Sequence, residues 1–353
     1  TSAMSSERQK MHGGRFLEYT KSGKSFIDFS ASINPYGLDS GLISVLKESI
    51  PLIEHYPNMD YSIIKKALAE KHSLNTSNVY LGNGANSIIY RFLQSFDRTL
   101  NICIPVPSFE SYKTAAESVL GNIFYYYMPN MMIFSDIFDI LTDDKDVLIL
   151  ANPNNPTGFL IDRELLNQII KHCKQRGIFV LIDECFLEFV INGEELSQTK
   201  HLLNYQNIAI LRSLTKIYAF PGLRFGYLLL NNTKLHQRMD SLTPAWEINT
   251  LVLEAVKYSL EKNMDDLIEK IQEERSILAD NLTSLGIYVY PSFTNFLLCR
   301  YRKSISENLL KLGIIVRDCS DFPGLDDRYF RVAVKTRPEN ERLYFAIMSE
   351  VNK

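Results

Sequence analysis

Between residues 79 and 230 the chain repeats one alternation, a short continuous apolar run followed by a segment with helical spacing. NVYLGN leads into GANSIIYRFLQSF, and NICIPV leads into PSFESYKTAAESVL. DVLILAN precedes a helix opening after Asp162, with Leu165, Leu166, Ile169, Ile170 and Cys173 on one face. IFVLIDE, NIAILRS and RFGYLLL follow. A strand that is apolar at every position is buried on both faces, and parallel neighbours need crossover helices to cover those faces. The alternation therefore predicts an α/β fold, a mostly parallel central sheet with helices on both faces. After about residue 240 the pattern changes to a long charged helix, roughly 249–284, and three short strands, FTNFLLCRY, GIIVRDC and YFRVAVK. The expected organisation is an N-terminal segment (1–45) joining a small unit, a large domain (46–240) and a small C-terminal α+β domain (241–353).

Composition narrows the function classes. The chain has 353 residues, 46% hydrophobic and 22% charged, and its formal charge of -3 comes without a basic block. Nucleic acid is not an expected partner. No apolar run approaches the roughly 18 residues of a membrane span, so no membrane is expected. TSAMSSERQK lacks the apolar core of a signal peptide, which makes the cytoplasm the expected compartment. Cysteines 103, 173, 185, 299 and 319 include no close pair. They read as reduced thiols, with neither a disulfide frame nor a metal site.

Chemical groups recur where the apolar runs end, the edge at which open α/β sheets bind ligands. GNGAN (82–86) puts Gly84, Ala85 and Asn86 between a strand and a helix, where backbone N–H groups favour an anion; a plain tight turn fits the same residues. ANPNNPTG (151–158) offers the amide of Asn155, and IDE (182–184) buries Asp183 at a strand end. A carboxylate there is costly unless it meets a cation. SLTKIYAFPGLRFGY (213–227) holds Ser213, Thr215, Lys216 and Arg224. A lone lysine is most often solvated. Together, however, an imine-forming lysine, an aspartate for a pyridinium, an amide for a phenolic oxygen and an anion cup are what pyridoxal 5'-phosphate requires.

In the order GNGAN, NPTG, Asp183, Ser-x-Thr-Lys and an arginine eight residues on, nearly the whole chain resembles the fold-type I aminotransferase superfamily. The resemblance implies that fold and that cofactor, and it assigns roles. Lys216 would form the imine and later move protons, Asp183 would hold the pyridine nitrogen protonated, and Asn155 would bond the phenolic oxygen and border the substrate. Phe109 would stack on the ring, although it reads equally as a core phenylalanine. Gly84, Ala85, Asn86, Ser213, Thr215 and Arg224 would hold the phosphate. Tyr56 in HYPNMDY resembles the tyrosine that reaches the phosphate of a neighbouring subunit, which implies a homodimer. Arg331 in YFRVAVK matches the arginine that pairs with the substrate α-carboxylate, fork to carboxylate.

Within the superfamily, HGGRF (12–16), DFSASINPYG (28–37) and VRDCSDFPGL (316–325) resemble threonine-phosphate decarboxylases, which make the aminopropanol phosphate linker of cobalamin. A substitution points the same way. Where related aminotransferases carry a DEAY-type motif, this chain has DECF, and Phe186 has no hydroxyl to give the phenolic oxygen. That oxygen should then be a better acceptor for the imine proton. The resemblance implies decarboxylation of L-threonine O-3-phosphate or, one methyl smaller, L-serine O-phosphate. Arg317 would anchor the substrate phosphate with His12 and Arg15 contributing, Asn34 would line the same pocket, and Arg317 and Arg331 could exchange or share their anions. The alternatives are an aminotransferase of the histidinol-phosphate kind and a non-catalytic cofactor-binding regulatory protein.

Overall fold

The computed structural model describes residues 13–14, 16–20, 25–134 and 136–352. His12 and Arg15 lie outside the described residues. Thirteen strands are described: β1 (Ile27–Asp28), β2 (Val79–Gly82), β3 (Asn101–Val106), β4 (Asn122–Tyr127), β5 (Val147–Ala151), β6 (Phe179–Asp183), β7 (Ile208–Arg212), β8 (Gly226–Leu230), β9 (Tyr288–Val289), β10 (Phe296–Arg300), β11 (Ile314–Ile315), β12 (Arg317–Asp318) and β13 (Tyr329–Ala333).

The central sheet runs β2-β8-β7-β6-β5-β3-β4. Only β8 is antiparallel, to β2 and to β7 alike. Successive residues of the middle strands enter opposite cores, which is why those strands read as continuous apolar runs. Leu148, Leu150, Val180, Ile182, Ile208 and Ile210 pack on one side with Leu166, Ile169, Ile170 and Cys173 of the helix Arg163–Gln175. Val147, Ile149, Leu181, Ala209 and Leu211 pack on the other with residues of the helices Ala85–Gln94 and Ser111–Ser118. The antiparallel β8 has a consequence for the site. Its N-terminal end lies at the edge where the parallel strands end, so the turn carrying Arg224 arrives beside the residues that follow β2 and β7.

The second sheet, β12-β13-β10-β9, is antiparallel throughout. The N-terminal segment pairs β1 in parallel with β11 as a separate two-stranded sheet, and it meets the second sheet through the Ala333 N–H bond to the Phe29 carbonyl, 2.8 Å. Phe29 sits in one core with Leu278, Leu297, Phe330, Val332 and Leu343.

Two expectations change, and one strand is added. The charged helix is two helices, Thr250–Leu260 and Asp265–Ser284. Asn263 Oδ1 accepts the Asp265 N–H at 2.7 Å between them, an Asx turn that restarts the chain in a new direction. GIIVRDC is divided at Val316 into β11 and β12, which belong to different sheets. NIFYYY, an apolar and aromatic run not singled out in the sequence, forms the edge strand β4, where three of its six positions are exposed.

Candidate active site

The anion end of the cleft is built by close approach. Gly84, at φ 92°, caps the helix Ala85–Gln94. A Cβ there would lie 2.8 Å from Arg224 Nη2, and one on Gly226 would lie 2.5 Å from the Ala85 nitrogen. Both positions must be glycine for the arginine and β8 to lie against that helix end. Arg224 takes φ 61° and donates Nη1 to the Pro221 carbonyl at 3.0 Å. The hydroxyls of Ser213 and Thr215 are 3.0 Å apart and buried. Helix N–H groups, two hydroxyls and a guanidinium form a donor set with the chemistry a phosphate needs.

The ring end has the opposite polarity. Asp183, buried at the end of β6, accepts the Tyr112 hydroxyl on Oδ2 at 2.7 Å and the Cys185 N–H on Oδ1 at 2.9 Å, both neutral donors. Burial, then the nearby Asp183 charge, push the Tyr112 phenol well above its usual range. Phe109 is half-buried, its ring edge-on to Tyr112 at 5.7 Å. Lys216 Nζ lies 4.6 Å from the centre of the Phe186 ring, which meets Phe296 edge-on at 4.9 Å. Asn34, expected to line the pocket, is tied to the chain around the lysine. Its N–H donates to the Lys216 carbonyl at 3.0 Å and its Nδ2 to the Ile217 carbonyl at 2.9 Å, so the N-terminal segment clamps the turn carrying the lysine.

Directly beneath, residues adjacent in sequence to Asp183 and Ser213 form a buried ion network that the sequence reading missed. Arg212 binds Glu184 at 3.0 Å and Glu188 at 2.7 Å, and also Glu194. Glu184 further accepts from Ser197 Oγ at 2.7 Å and the Gln198 N–H at 3.0 Å. Burial raises Glu184, while Arg212 and these donors pull the other way. The network ties together the ends of β6 and β7, the two strands that lead into Asp183 and Ser213. Its sequence signal was present: a charge at the tip of each of two buried strands.

Arg317 and Arg331 face each other in register on β12 and β13. Arg331 donates Nη1 to Asn155 Oδ1 and Nη2 to the Ser30 carbonyl at 2.9 Å, while its Nε has no partner. Burial above all, with Arg317 nearby, pulls its pKa down to about 10. Arg317 donates Nη2 to Asp321 Oδ2 at 2.7 Å and lies over Phe322. The glycines of HGG reach the same wall: Gly14 N–H donates to Ser30 Oγ at 3.0 Å, and a Cβ on Gly13 would lie 2.3 Å from the Ser30 oxygen. Tyr56 lies on the surface, 78% exposed, its ring 4.5 Å from that of Trp246. A groove of about 670 Å³ beside Glu188, Glu194 and Asp265 is lined by none of the candidate residues, and the converging donors lie elsewhere. Among the described residues no group of three or more His, Cys, Asp or Glu could hold a metal, and no helix is long and apolar enough to cross a membrane.

These groups fit pyridoxal phosphate: an anion cup requiring glycine at two contacts, a buried carboxylate bonded by neutral donors only, and a lysine amine over the Phe186 ring. Known proteins place the chain accordingly. The model for aminotransferase class I and II matches residues 24–347. The threonine-phosphate decarboxylase of Salmonella typhimurium is 33% identical, with 95% of each chain covered. The histidinol-phosphate aminotransferase of Clostridium acetobutylicum superposes with a TM-score of 0.85 at 31% identity, covering 92% of this chain and 98% of that one. The L-threonine-O-3-phosphate decarboxylase of Porphyromonas gingivalis gives 0.80 at 26%, covering 92% and 99%. The chain belongs to the class I and II aminotransferase family, with the fold-type I architecture and pyridoxal phosphate as its cofactor.

Proposed function

We propose that this protein decarboxylates a small phosphorylated amino acid, L-threonine O-3-phosphate or L-serine O-phosphate, to the corresponding aminoalcohol phosphate for the linker of cobalamin-type cofactors. The observation that carries the reading is the register pair Arg317 and Arg331 on one wall. Two adjacent guanidinium groups suit a substrate with two anions on neighbouring carbons, a carboxylate and a phosphate ester.

Bound pyridoxal phosphate supplies the electron sink for bond cleavage at Cα. The chain's own residues supply holding and orientation. Ala85, Asn86, Ser213, Thr215 and Arg224, with Gly84 giving them room, take the cofactor phosphate. Asp183 keeps the pyridine nitrogen protonated, Asn155 meets the phenolic oxygen, and Phe109 covers the ring. Arg331 would take the substrate carboxylate and Arg317 its phosphate, two anchors that would fix which bond at Cα is presented for cleavage. Lys216 then returns a proton to Cα. Tyr56, exposed on its own chain, reaches the neighbouring phosphate in a homodimer. The N-terminal segment and residues 241–353 act as one unit around the substrate.

The second reading is a histidinol-phosphate-type aminotransferase, favoured by the Clostridium likeness. Phosphorus NMR separates the two. With pyridoxal phosphate, phosphothreonine or phosphoserine and no oxo acid, the expected product is the phosphoamine, and the faster substrate identifies the linker. No conversion of either, followed by turnover of histidinol phosphate once 2-oxoglutarate is added, gives the function to the aminotransferase reading.

A further inference from the structure

Tyr112 belongs to none of the roles assigned above, yet it touches two residues that have them. It sits in the first turn of the helix Ser111–Ser118, fully buried, three residues after Phe109. Its hydroxyl donates to Asp183 Oδ2 at 2.7 Å and its ring meets the Phe109 ring at 87°. We propose that Tyr112 is a positioning residue for the cofactor ring, one that holds Asp183 ionised and aimed at the pyridine nitrogen while bracing Phe109 over the ring. The inference rests on the reading of Asp183 as the partner of that nitrogen.

The argument is one of charge. A buried carboxylate without a cation is costly, and hydrogen bonds to its ionised form offset part of that cost. A lysine or arginine at position 112 would stabilise Asp183 more, but it would compete with the pyridinium for the same charge. A phenol donates a hydrogen bond and adds no charge, so the pyridinium remains the one cation to complete the carboxylate. Burial and the Asp183 charge both keep the phenol protonated, so it remains a donor at neutral pH. A hydrogen bond to a carboxylate favours its ionised form, which leaves the shared proton on the ring nitrogen. Without it the proton shifts toward Asp183 and the ring becomes a weaker electron sink. Tyr112 thus acts through Asp183 and need not touch substrate.

The test reconstitutes the enzyme with pyridoxal phosphate labelled with ¹⁵N in the ring. In the wild type the nitrogen resonance is expected at the pyridinium position. In Tyr112→Phe it is expected to move toward neutral pyridine, with kcat down about tenfold and substrate KM within about twofold. A loss confined to folding stability, with the nitrogen resonance unmoved, overturns the proposal. If the phenylalanine variant does not fold, 3-fluorotyrosine at position 112 keeps the shape and changes the donor strength. A nitrogen resonance identical to wild type then overturns it equally. A neutral pyridine already present in the wild type is a separate outcome: it removes the assigned role of Asp183, and Tyr112 with it, before any variant is made.

Discussion

Arg212 and Arg331 are both buried, but they are compensated in opposite ways. Arg212 is surrounded by Glu184, Glu188 and Glu194. Burial opposes its charge, and these carboxylates outweigh burial, leaving the guanidinium more firmly protonated than usual. Arg331 bonds the side-chain oxygen of Asn155 and the carbonyl of Ser30, both neutral, with Arg317 opposite it in register. The first arginine belongs to a floor whose charges are balanced within the chain, and it holds strand ends. The second, in the wall, bonds neutral acceptors only, although Asp321 pairs with Arg317 beside it, so an anionic substrate can supply the direct partner it lacks. Binding energy then appears where the substrate is, instead of being used up inside the free protein.

The comparison breaks first at the floor. Arg212→Met leaves Glu184 uncompensated in a site with no solvent access. Removing one partner of a buried pair typically costs about 3–5 kcal/mol, so chemical denaturation should show a loss of that order, while substrate KM in the folded fraction stays near wild type. Arg331→Met should do the reverse. Deleting an under-compensated buried charge is expected to leave folding stability unchanged or raised, and kcat/KM for the phosphoamino acid should fall about 10²–10³-fold. If the two variants exchange these phenotypes, the division into floor and wall is wrong.

A third measurement sharpens the description of the floor. His72 is buried beside the Arg212 network, with Nε2 2.9 Å from the Tyr227 hydroxyl and Nδ1 3.8 Å from Glu194. The Glu194 contact would favour the charged ring, but Glu194 is half exposed. Burial, then the fields of Arg212 and Lys71, dominate and lower the pKa from 6.5 to about 3, with Glu188 a lesser opposing influence. The unfolded chain therefore binds a proton in a range where the folded chain does not. This contribution to stability is intact above about pH 6.5 and is lost as pH falls toward 3. Between pH 6.5 and 5 the loss should be about 2 kcal/mol. Thermal melts of His72→Gln should show a shallower decline over that interval. Parallel declines for the two proteins would remove His72 from the acid response.

What was legible in the sequence follows the same division. The central sheet could be read because its middle strands are covered on both faces, and burial leaves continuous apolar runs. Asp183, Asn155 and Lys216 stood out because each polar group breaks or closely follows such a run. Other features depend on partners far away in sequence. Tyr112 meets Asp183 across 71 residues, and Asn34 clamps Ile217 across 183. No local pattern marks either contact. The edge strand β4 and the break at Asn263 escaped for a different reason, since a short continuous apolar run and a single Asx turn leave helix and strand ambiguous.

The smallest expected effect tests the residue between floor and wall. Phe186 places an aromatic face 4.6 Å from Lys216 Nζ and packs edge-on against Phe296, the same ring that Arg331 overlies at 5.0 Å. On the proposed reading, a tyrosine at this position would bring a hydroxyl to the phenolic oxygen of the cofactor, and phenylalanine would leave that oxygen a stronger acceptor for the imine proton. The protonated form should persist to higher pH in the wild type than in Phe186→Tyr. A single donor of this kind should displace the midpoint by roughly 0.5–1 pH unit, read from a pH titration of the cofactor's visible absorbance. Equal midpoints would mean that the proton is governed by groups other than the residue at 186. A lower midpoint in the tyrosine variant would make the missing hydroxyl a second way this site arranges charge by withholding a partner, as the wall does around Arg331.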